Sequence, residues 1–313
     1  MNFGKRSIPF NPEANIPSLE GKAILVTGGN IGLGEQSVLQ YAKQSPNIIW
    51  LAARSRDKAK AAIDEIKAQL PENAKANIKF LELDLASLDS IKTAAKRVLS
   101  ESDRLDILLL NAGIMAVPPG LTKDGYELQF GTNYLGHILL AKLLLPLLQK
   151  TATLPNADVR LINMTSRAHN LAPKEGIKYD TLRTTAENLG PYGRYGQSKL
   201  AQILWTREAA SHYPNITINA IHPGLVRTNL MGNATGSAWW AKILGKIANY
   251  VFTSVEQGVR NQLWASVSTE IRTGWYYEPV GVSGRETELA RDEALARGLW
   301  EWTEEELRGH CTV

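Results

Sequence analysis

Residues 22–36 read KAILVTGGNIGLGEQ, and this stretch decides the fold of the chain. Ala23–Thr27 is a short apolar, β-branched run that predicts a buried strand. Four glycines follow at once: Gly28, Gly29, Gly32 and Gly34. Without side chains, the backbone here can bend sharply and a pyrophosphate can reach the N–H groups at the positive end of the next helix. The stretch predicts a dinucleotide-binding turn, although glycines alone also fit any tight strand-to-helix turn.

The composition is that of a globular chain with one large core. The 313 residues are 44% hydrophobic and 21% charged, with a net charge of +4. Lys and Arg alternate with Asp and Glu, and this pattern argues against nucleic acid as a partner. Cys311 is the single cysteine, so no disulfide can form within the chain. A reducing, cytoplasmic location is therefore expected.

We predict one catalytic domain over residues 21–313, preceded by a surface arm over residues 1–20 that has no apolar stretch of signal-peptide length. His137–Leu148 is the most hydrophobic window. It spans only about a dozen residues, short of the roughly 20 needed to cross a bilayer, and contains Lys142 and Pro146. A buried helix is expected there.

Strand and helix patterns alternate along the chain. The predicted strands after the first are Asn47–Ala53, Ile78–Leu83, Ile107–Leu110, Val159–Met164 and Ile216–Ile221. The predicted helices are Gly34–Gln44, Asp57–Leu70, Leu88–Leu99, Tyr134–Leu148 and Tyr195–Tyr213. This alternation predicts an α/β fold with a single doubly wound, Rossmann-type parallel sheet and helices on both faces. The ligand crevice is expected at the carboxyl ends of the strands, where the strand order reverses.

Small and polar residues follow the predicted strands. Arg54 ends the second strand, where an Asp or Glu would bind the ribose 2′-hydroxyl of NAD. An arginine there suits a 2′-phosphate and favours NADP, while an exposed loop arginine is the alternative. Asp84-Leu85 follows the third strand, and Asn111-Ala112-Gly113 follows the fourth, where the chain must pass close to a flat ligand.

Tyr195 and Lys199 are four residues apart and share one face of a helix. A phenol with a reference pKa of about 10 is a poor proton donor or acceptor near neutral pH. An ammonium one turn away, together with a positively charged nicotinamide, favours the phenolate. The spacing also occurs on ordinary helix surfaces, so the pair gains meaning only from an ordered set of motifs.

That ordered set resembles the short-chain dehydrogenase/reductase family over about residues 20–230. The residues within its motifs are most similar to those of the retinol-dehydrogenase-like branch. The set comprises the glycine turn, Asn111-Ala112-Gly113, Asn133-Tyr134-Leu135-Gly136-His137, Ser166, Tyr195-Gly196-Gln197-Ser198-Lys199 and His222-Pro223-Gly224 through Thr228. Two departures stand out. Thr165 occupies the place of a second serine, and 29 positions separate Ser166 from Tyr195. The segment Arg167–Arg194 is expected to shape the substrate mouth.

The resemblance implies a catalytic set of four residues. Tyr195 is the general acid/base, Ser166 hydrogen-bonds the substrate oxygen, and Lys199 lowers the pKa of the tyrosine and binds the nicotinamide ribose. Asn133 holds a water in the proton relay. The implied NADP-binding residues are Gly28, Asn30, Ile31, Gly32, Gly34, Arg54, Asp84, Leu85, Asn111, Ala112, Gly113, Tyr195, Lys199, Pro223, Gly224, Val226 and Thr228. A homo-oligomer packed through the helices containing Asn133 and Tyr195 is implied as well.

The stretch Asn229–Ser254 places much apolar surface directly after Thr228. We predict a small helical lid over a sizeable apolar substrate. A core helix is the first alternative, and an amphipathic helix resting on a membrane, which would give peripheral membrane contact, is a less favoured one.

Other chemistries lack their motifs. The sequence contains no G-x-S-x-G elbow, no P-loop lysine motif and no metal-ligand spacing among its five histidines. His169 is expected to be a solvent histidine, with a place in the substrate mouth as the alternative. The sequence thus predicts an NADP(H)-dependent oxidoreductase that interconverts a carbonyl and an alcohol. A redox-silent nucleotide-binding or scaffold protein on the same fold is the alternative.

Overall fold

The computed structural model describes residues 7–72, 74–226 and 253–311. Within these residues the strands are β1 Ala23–Thr27, β2 Ile48–Ala53, β3 Ile78–Glu82, β4 Ile107–Leu110, β5 Arg160–Met164, β6 Thr217–Ile221 and β7 Tyr276–Tyr277. They form one parallel sheet in the order β3-β2-β1-β4-β5-β6-β7. The predicted α/β fold with a single parallel sheet is confirmed.

The described helices lie before, between and after the strands. They are α1 Pro12–Asn15, α2 Gly32–Ala42, α3 Arg56–Ala68, α4 Leu88–Glu101, α5 Leu128–Phe130, α6 Gly136–Ala152, α7 Gly190–His212, α8 Val255–Gly258, α9 Arg260–Val267 and α10 Glu293–Leu307. A π-helical turn, Gly131–Leu135, joins α5 to α6. Short 3-10 turns lie at Arg167–Leu171, Tyr179–Thr181, Glu187–Leu189, Leu289–Arg291 and Arg308–His310.

The sheet is buried on both faces, which explains why its strands read as continuous apolar runs. Every residue of β1, β2, β4 and β5 is buried. Leu25 of β1 belongs to the core cluster on one face, and its neighbours Ile24 and Val26 belong to the cluster on the other. Successive side chains of a strand point to opposite faces, so one apolar run serves both cores.

The strand order reverses between β1 and β4. From β1 the chain winds outward through β2 to β3, and β4 then returns to pair with the other edge of β1. Thr27 and Leu110 end these two strands, so the crevice that a doubly wound sheet offers to ligands opens directly above the glycine turn.

The continuous helical run Leu128–Ala152 is long and apolar enough to cross a membrane by length and composition, and it is the only such run in the described part of the chain. Most of it, 83% of its most apolar window, is buried inside the protein. Leu139, Leu140 and Leu144 are completely buried in the main core cluster. This burial confirms the predicted buried helix.

The C-terminal helix α10, which the sequence patterns did not predict, packs on α6 and α7. Trp300 stacks on His212 with ring centroids 4.3 Å apart, and Lys142 of α6 pairs with Glu304 at 2.6 Å. All residues 194–206 of α7 are buried within one chain. The homo-oligomer packed through the helices containing Asn133 and Tyr195 stays a prediction.

Residues 7–20 of the predicted arm lie against the sheet layers. Phe10, Ile16 and Leu19 are buried in the second core cluster, and the Ile8 N–H donates to the Val280 carbonyl at 2.9 Å. The arm therefore contributes side chains to the core.

Thr228 and residues 229–252 of the predicted lid lie outside the described residues, so the three interpretations of that stretch stay predictions. The residues that flank it are paired. Val226 and Thr253 form a parallel bridge, and the Thr253 N–H donates to the Leu225 carbonyl at 2.8 Å. The two described ends that flank this stretch therefore lie side by side, just beyond β6.

Candidate active site

Ser166, Tyr195 and Lys199 lie together at the carboxyl end of β5. Ser166 follows β5, and the other two residues come from α7. The Ser166 side chain lies near enough to the Tyr195 phenol to lower its pKa, and Lys199 Nζ lies 5.6 Å from the centre of the Tyr195 ring. Tyr195 and Lys199 are 4% and 3% exposed, and Ser166 is half-buried. The structure thus brings these three residues into one cluster.

Gly196 sets the distance between α7 and the segment that carries Ser166. A Cβ at position 196 would lie 2.6 Å from the Leu171 carbonyl carbon and 2.7 Å from the Ala168 carbonyl oxygen. Both are backbone atoms of the turn that begins after Ser166, where the Ser166 hydroxyl accepts a hydrogen bond from the Ala168 N–H at 3.2 Å. Backbone cannot yield as a flexible side chain can, so a glycine next to Tyr195 is required.

Lys199 is held by its side chain and by its backbone. Its Nζ donates to the Met164 carbonyl at 2.9 Å and to Gln202 Oε1 at 2.8 Å. The Thr165 hydroxyl donates to the Lys199 carbonyl at 2.7 Å. Thr165 therefore ties β5 to α7 beside the lysine.

Burial dominates the pKa values of Tyr195 and Lys199. It raises the pKa of Tyr195 to about 12, although the nearby Ser166 side chain acts in the opposite direction. It lowers the pKa of Lys199 to about 7. The sequence predicts a phenolate favoured by Lys199 and the nicotinamide together, whereas the protein by itself keeps Tyr195 protonated near neutral pH.

Asn133 lies in the π-helical turn and is completely buried. Its side chain accepts from the Ile114 N–H at 2.8 Å and donates to the Ile114 carbonyl at 2.9 Å and to Ser198 Oγ at 3.0 Å. Its own carbonyl accepts from Gln202 Nε2 and lies 2.9 Å from His137 Nδ1. The side chain thus orders the segment after β4, and the carbonyl faces the lysine network.

The glycine turn leaves the start of α2 uncapped. Gly28 and Gly32 have φ angles of 64° and 58°, which residues with side chains rarely adopt. A Cβ on Gly34 would lie 2.2 Å from the Gly28 carbonyl oxygen. Ile31, at the N-cap of α2, makes no capping hydrogen bond with its side chain, whereas Ser55 caps α3. Free N–H groups beside a cradle without side chains fit the pyrophosphate of a dinucleotide.

Asn111, Ala112 and Gly113 run directly against this turn. The N–H groups of Asn111 and Ala112 donate to Thr27 Oγ1 at 2.9 Å and 3.0 Å, and Asn111 Nδ2 donates to the Thr27 carbonyl at 2.8 Å. A Cβ on Gly113 would lie 3.7 Å from Lys199 Nζ. This element therefore joins the glycine turn to the catalytic cluster.

Arg54 and Asp84 lie at the same edge of the sheet as the glycine turn. The N–H groups of Gly28 and Gly29 donate to the Ala52 carbonyl, two residues before the exposed Arg54. Asp84 Oδ1 accepts a hydrogen bond from the Ala86 N–H at 3.1 Å, and the carboxylate pairs with Lys123 at 3.4 Å. Other predicted coenzyme residues at this rim are the half-buried Asn30, the exposed Ile31 and the buried Leu85.

The end of β6 supplies the last of these residues. Pro223 and Gly224 are half-buried, and Gly224 has a φ angle of 93°. Val226 is buried against α8, where a Cβ on Gly258 would lie 2.2 Å from one of its methyl groups. The described residues thus place all the predicted site residues except Thr228 along one edge of the sheet.

Comparison with known proteins agrees with this geometry. Residues 22–181 match the family model of the short chain dehydrogenases. The chain is also 38% identical to human retinol dehydrogenase 13 over 92% of its own length and 84% of that protein. The chain belongs to the short-chain dehydrogenase/reductase family. Members of this family are oxidoreductases that bind a nicotinamide coenzyme.

Two further relatives cover nearly the whole chain. The short-chain dehydrogenase/reductase drtF of Aspergillus calidoustus is 37% identical over 94% of this chain and 96% of that protein. The crystal structure of an uncharacterised protein from Mycobacterium paratuberculosis is 27% identical, with a TM-score of 0.72 over 96% of this chain and 97% of that one. The likeness thus extends beyond the motifs to the C-terminal elements of this short-chain dehydrogenase/reductase.

The sequence patterns assign no role to three residues of the site, although two of them, His137 and Gly196, lie inside the quoted motifs. Gln202 and His137 contact the catalytic network, and Gly196 permits its close packing. Gln202 lies three positions after Lys199, so helical spacing is the one sequence signal that points to it. In the described part of the chain, no group of His, Cys, Asp and Glu side chains could hold a metal ion.

Three histidines of the site are buried. His169 is 1% exposed, so the predicted solvent histidine is wrong. Its Nδ1 lies 2.8 Å from the Ser166 carbonyl, and its Nε2 accepts from the Thr287 N–H at 3.2 Å.

Burial lowers the pKa of His137 and of His222 to about 4 in each case. These two side chains are therefore neutral at physiological pH.

We expect the free energy of unfolding to fall as the pH drops from about 6.5 to about 4. In that range the unfolded chain binds protons that folded His137 and His222 exclude, and each histidine accounts for about 3 kcal/mol of the loss. The stability that the two neutral histidines contribute is fully present above their unfolded pKa of about 6.5, and it is lost as the pH falls toward about 4. Urea unfolding at several pH values across the range measures the slope.

His137→Gln provides the comparison for this slope. Glutamine does not titrate. The slope of the unfolding free energy against pH should therefore be smaller in the variant by the amount that corresponds to about one bound proton, whatever its stability at neutral pH. Parallel curves for the variant and the wild type would show that His137 does not carry the effect.

Proposed function

We propose that this protein is an NADP(H)-dependent reductase or dehydrogenase that interconverts a carbonyl and an alcohol. The observation that carries the proposal is the cluster of Ser166, Tyr195 and Lys199 beside the glycine turn. These side chains supply a proton donor, a hydrogen-bond donor for the substrate oxygen and a cation. That set suits hydride transfer to or from a carbon that bears oxygen.

Each residue has one task in the reaction. The bound coenzyme supplies or accepts the hydride. Tyr195, protonated in the free protein, gives its proton to the carbonyl oxygen in reduction and takes it back in oxidation. Ser166 hydrogen-bonds the same oxygen and stabilises the charge that develops on it. Lys199 places an ammonium beside the Tyr195 ring, which lowers the cost of forming the phenolate.

Large apolar side chains around this cluster support an apolar substrate. Leu171, Tyr192 and Leu225 are 52%, 36% and 48% exposed. They lie on the three segments that carry Ser166, Tyr195 and Pro223. Exposed apolar groups close to a catalytic cluster gain most from covering an apolar ligand. The retinol dehydrogenases among the relatives suggest all-trans-retinal as a first probe.

Consumption of NADPH tests the proposal. Purified protein is mixed with all-trans-retinal, octanal and, as small polar carbonyls, glyoxal and glyceraldehyde, and the products are identified by mass spectrometry. We expect reduction of the apolar aldehydes. Equal turnover of the small polar carbonyls would contradict the apolar substrate. NADPH binding without turnover of any carbonyl, or of any alcohol with NADP, would instead support a redox-silent binding protein.

Arg54 is the basis for the choice of NADP. It is exposed beside the glycine turn, and no hydrogen bond or ion pair engages it among the described residues. Arg56, in contrast, lies over the Phe80 ring at 5.3 Å. A guanidinium that no neighbour holds offers a fork of donors to a 2′-phosphate and little to a hydroxyl.

We expect a preference for NADPH over NADH of roughly 10- to 100-fold in kcat/KM. Arg54→Ala should remove most of it, and Arg56→Ala, which removes the same charge nearby, should remove little. Raising the salt concentration should weaken NADPH binding more than NADH binding. Equal efficiency of the wild type with both coenzymes would refute the assignment of Arg54.

A further inference from the structure

Gln202 lies on α7, almost one turn after Lys199, and is completely buried. Its Oε1 accepts a hydrogen bond from Lys199 Nζ at 2.8 Å. Its Nε2 donates to the Asn133 carbonyl and to Asn163 Oδ1, each at 2.9 Å. An ammonium can only donate and a carbonyl can only accept, so these partners determine which way the Gln202 amide points.

The Asn133 carbonyl also accepts a hydrogen bond from His137. His137 is neutral because burial lowers its pKa to about 4, and only a protonated Nδ1 can bond the carbonyl 2.9 Å away. Its Nε2 is then an acceptor and takes the hydroxyl proton of Thr27, 2.9 Å away. Gln202 and His137 thus both donate to the Asn133 carbonyl.

These bonds form one buried chain from the lysine to the glycine turn. It runs from Lys199 through Gln202, the Asn133 carbonyl and His137 to Thr27, whose hydroxyl in turn accepts from the N–H groups after β4. Each link has one donor and one acceptor, so no member can turn without leaving a buried polar atom unpaired. The chain connects the Gln202 amide to the end of β1.

We propose that Gln202 is a positioning residue for the reaction: its amide holds the Lys199 side chain against Tyr195 and the coenzyme ribose. The inference rests on the proposed oxidoreductase function. Met164 and Gln202 engage two of the three ammonium donors of Lys199. The third donor is thereby directed toward the space where the coenzyme would lie.

The charge state of Lys199 is the quantity that Gln202 should control. Burial lowers the pKa of the lysine to about 7, and a hydrogen-bond acceptor at 2.8 Å favours the ammonium. The titratable groups that face it are Tyr195 on its own helix, His137 on α6 and His222 after β6. Both histidines stay neutral above about pH 6, so a pH effect in this range reports on Lys199 and Tyr195.

Gln202→Met keeps the length of the side chain and removes both of its hydrogen-bonding functions. The pKa of Lys199 should fall further, so that Kd for NADPH rises about tenfold near pH 8 and approaches the wild-type value near pH 6. Binding of 2′,5′-ADP should not change, because this fragment lacks the nicotinamide ribose. Fluorescence titration of NADPH and calorimetry of 2′,5′-ADP measure the two constants.

Gln202→Glu should act in the opposite direction on the pH dependence. Its carboxylate keeps an acceptor beside Lys199 and stabilises the ammonium to higher pH. We expect the basic limb of kcat/KM for carbonyl reduction to move down by about one pH unit in Gln202→Met and not to move down in Gln202→Glu. A residue that only fills space would not give opposite shifts in two variants of similar size.

Gln197→Met is the matched control, because Gln197 is also a buried glutamine of α7 but bonds the Lys178 N–H instead of the lysine network. It should leave the pH dependence of NADPH binding unchanged. The proposal is overturned if Gln202→Met behaves like this control, if it weakens 2′,5′-ADP equally, or if the wild type does not bind NADPH. Wild-type NADPH binding without turnover would instead refute the proposed function, and the two binding constants would still decide the role of Gln202.

Discussion

Tyr195→Phe should lower kcat by about 10³-fold or more while NADPH binding stays close to that of the wild type. The proposed mechanism assigns the proton transfer to this phenol, and general acid/base groups contribute about 10² to 10⁴ in rate. The substitution removes one oxygen from a buried ring and adds nothing that could clash. Single-turnover reduction with NADPH isolates the chemical step from product release.

Tyr192→Phe is the control for this substitution. It removes the same hydroxyl one turn earlier on α7, where the side chain is 36% exposed. Its kcat should remain within a factor of two or so of the wild type, as expected for an exposed position. Activity of Tyr195→Phe close to that of Tyr192→Phe would disprove the role of Tyr195 as the acid/base.

Gly34→Ala should abolish coenzyme binding and destabilise the protein. The new methyl group would lie 2.2 Å from the Gly28 carbonyl oxygen and 2.6 Å from Asn111 Nδ2. Relief requires the turn to move away from α2, and this movement also breaks the contact with the segment after β4. A loss of stability of several kcal/mol is expected for such overpacking of backbone against backbone. Calorimetry with 2′,5′-ADP and thermal unfolding follow the two effects.

Gly298→Ala is the matched change in a helix away from the site. The nearest atom to the new methyl would be the Tyr179 hydroxyl at 3.7 Å, so the methyl fits, and the helix gains about 0.5 to 1 kcal/mol from the lower entropy of alanine. Binding of 2′,5′-ADP by Gly34→Ala as strong as by Gly298→Ala would show that the glycine turn is not the phosphate cradle.

The sequence alone predicts the order and type of the central elements. β1 and β4 begin and end at the predicted residues, and the other predicted strands differ by at most two residues at either end. Each of these strands is a short run of consecutive apolar residues. A strand that is buried on both faces can be recognised from such a run alone. The glycine turn can be predicted for a similar reason. A positive φ angle, or a close contact with a residue nearby or on a neighbouring segment, requires each of its glycines.

Within the site, the sequence predicts the relations that follow from the spacing and the order of the residues. One helical turn places Tyr195 and Lys199 on a common face, and the order of motifs relates them to Ser166. Spacing does not show that α7 begins at Gly190, five residues before Tyr195. Leu189 at the N-cap makes no capping hydrogen bond with its side chain, although Pro191 in the first turn is typical of a helix start. It also does not show that α10 covers α7, since that contact joins residues far apart in the chain.

Only the tertiary structure decides the electrostatics of the site. The pKa of Tyr195 is raised rather than lowered because burial depends on every element packed around the phenol. Gln202 and His137 gain their roles in the same way, through partners in the π-helical turn, in β5 and at the end of β1. Periodicity and turn residues are properties of neighbouring positions and can be predicted from sequence. Desolvation and hydrogen-bond partnership are properties of the assembled core, where distant segments meet.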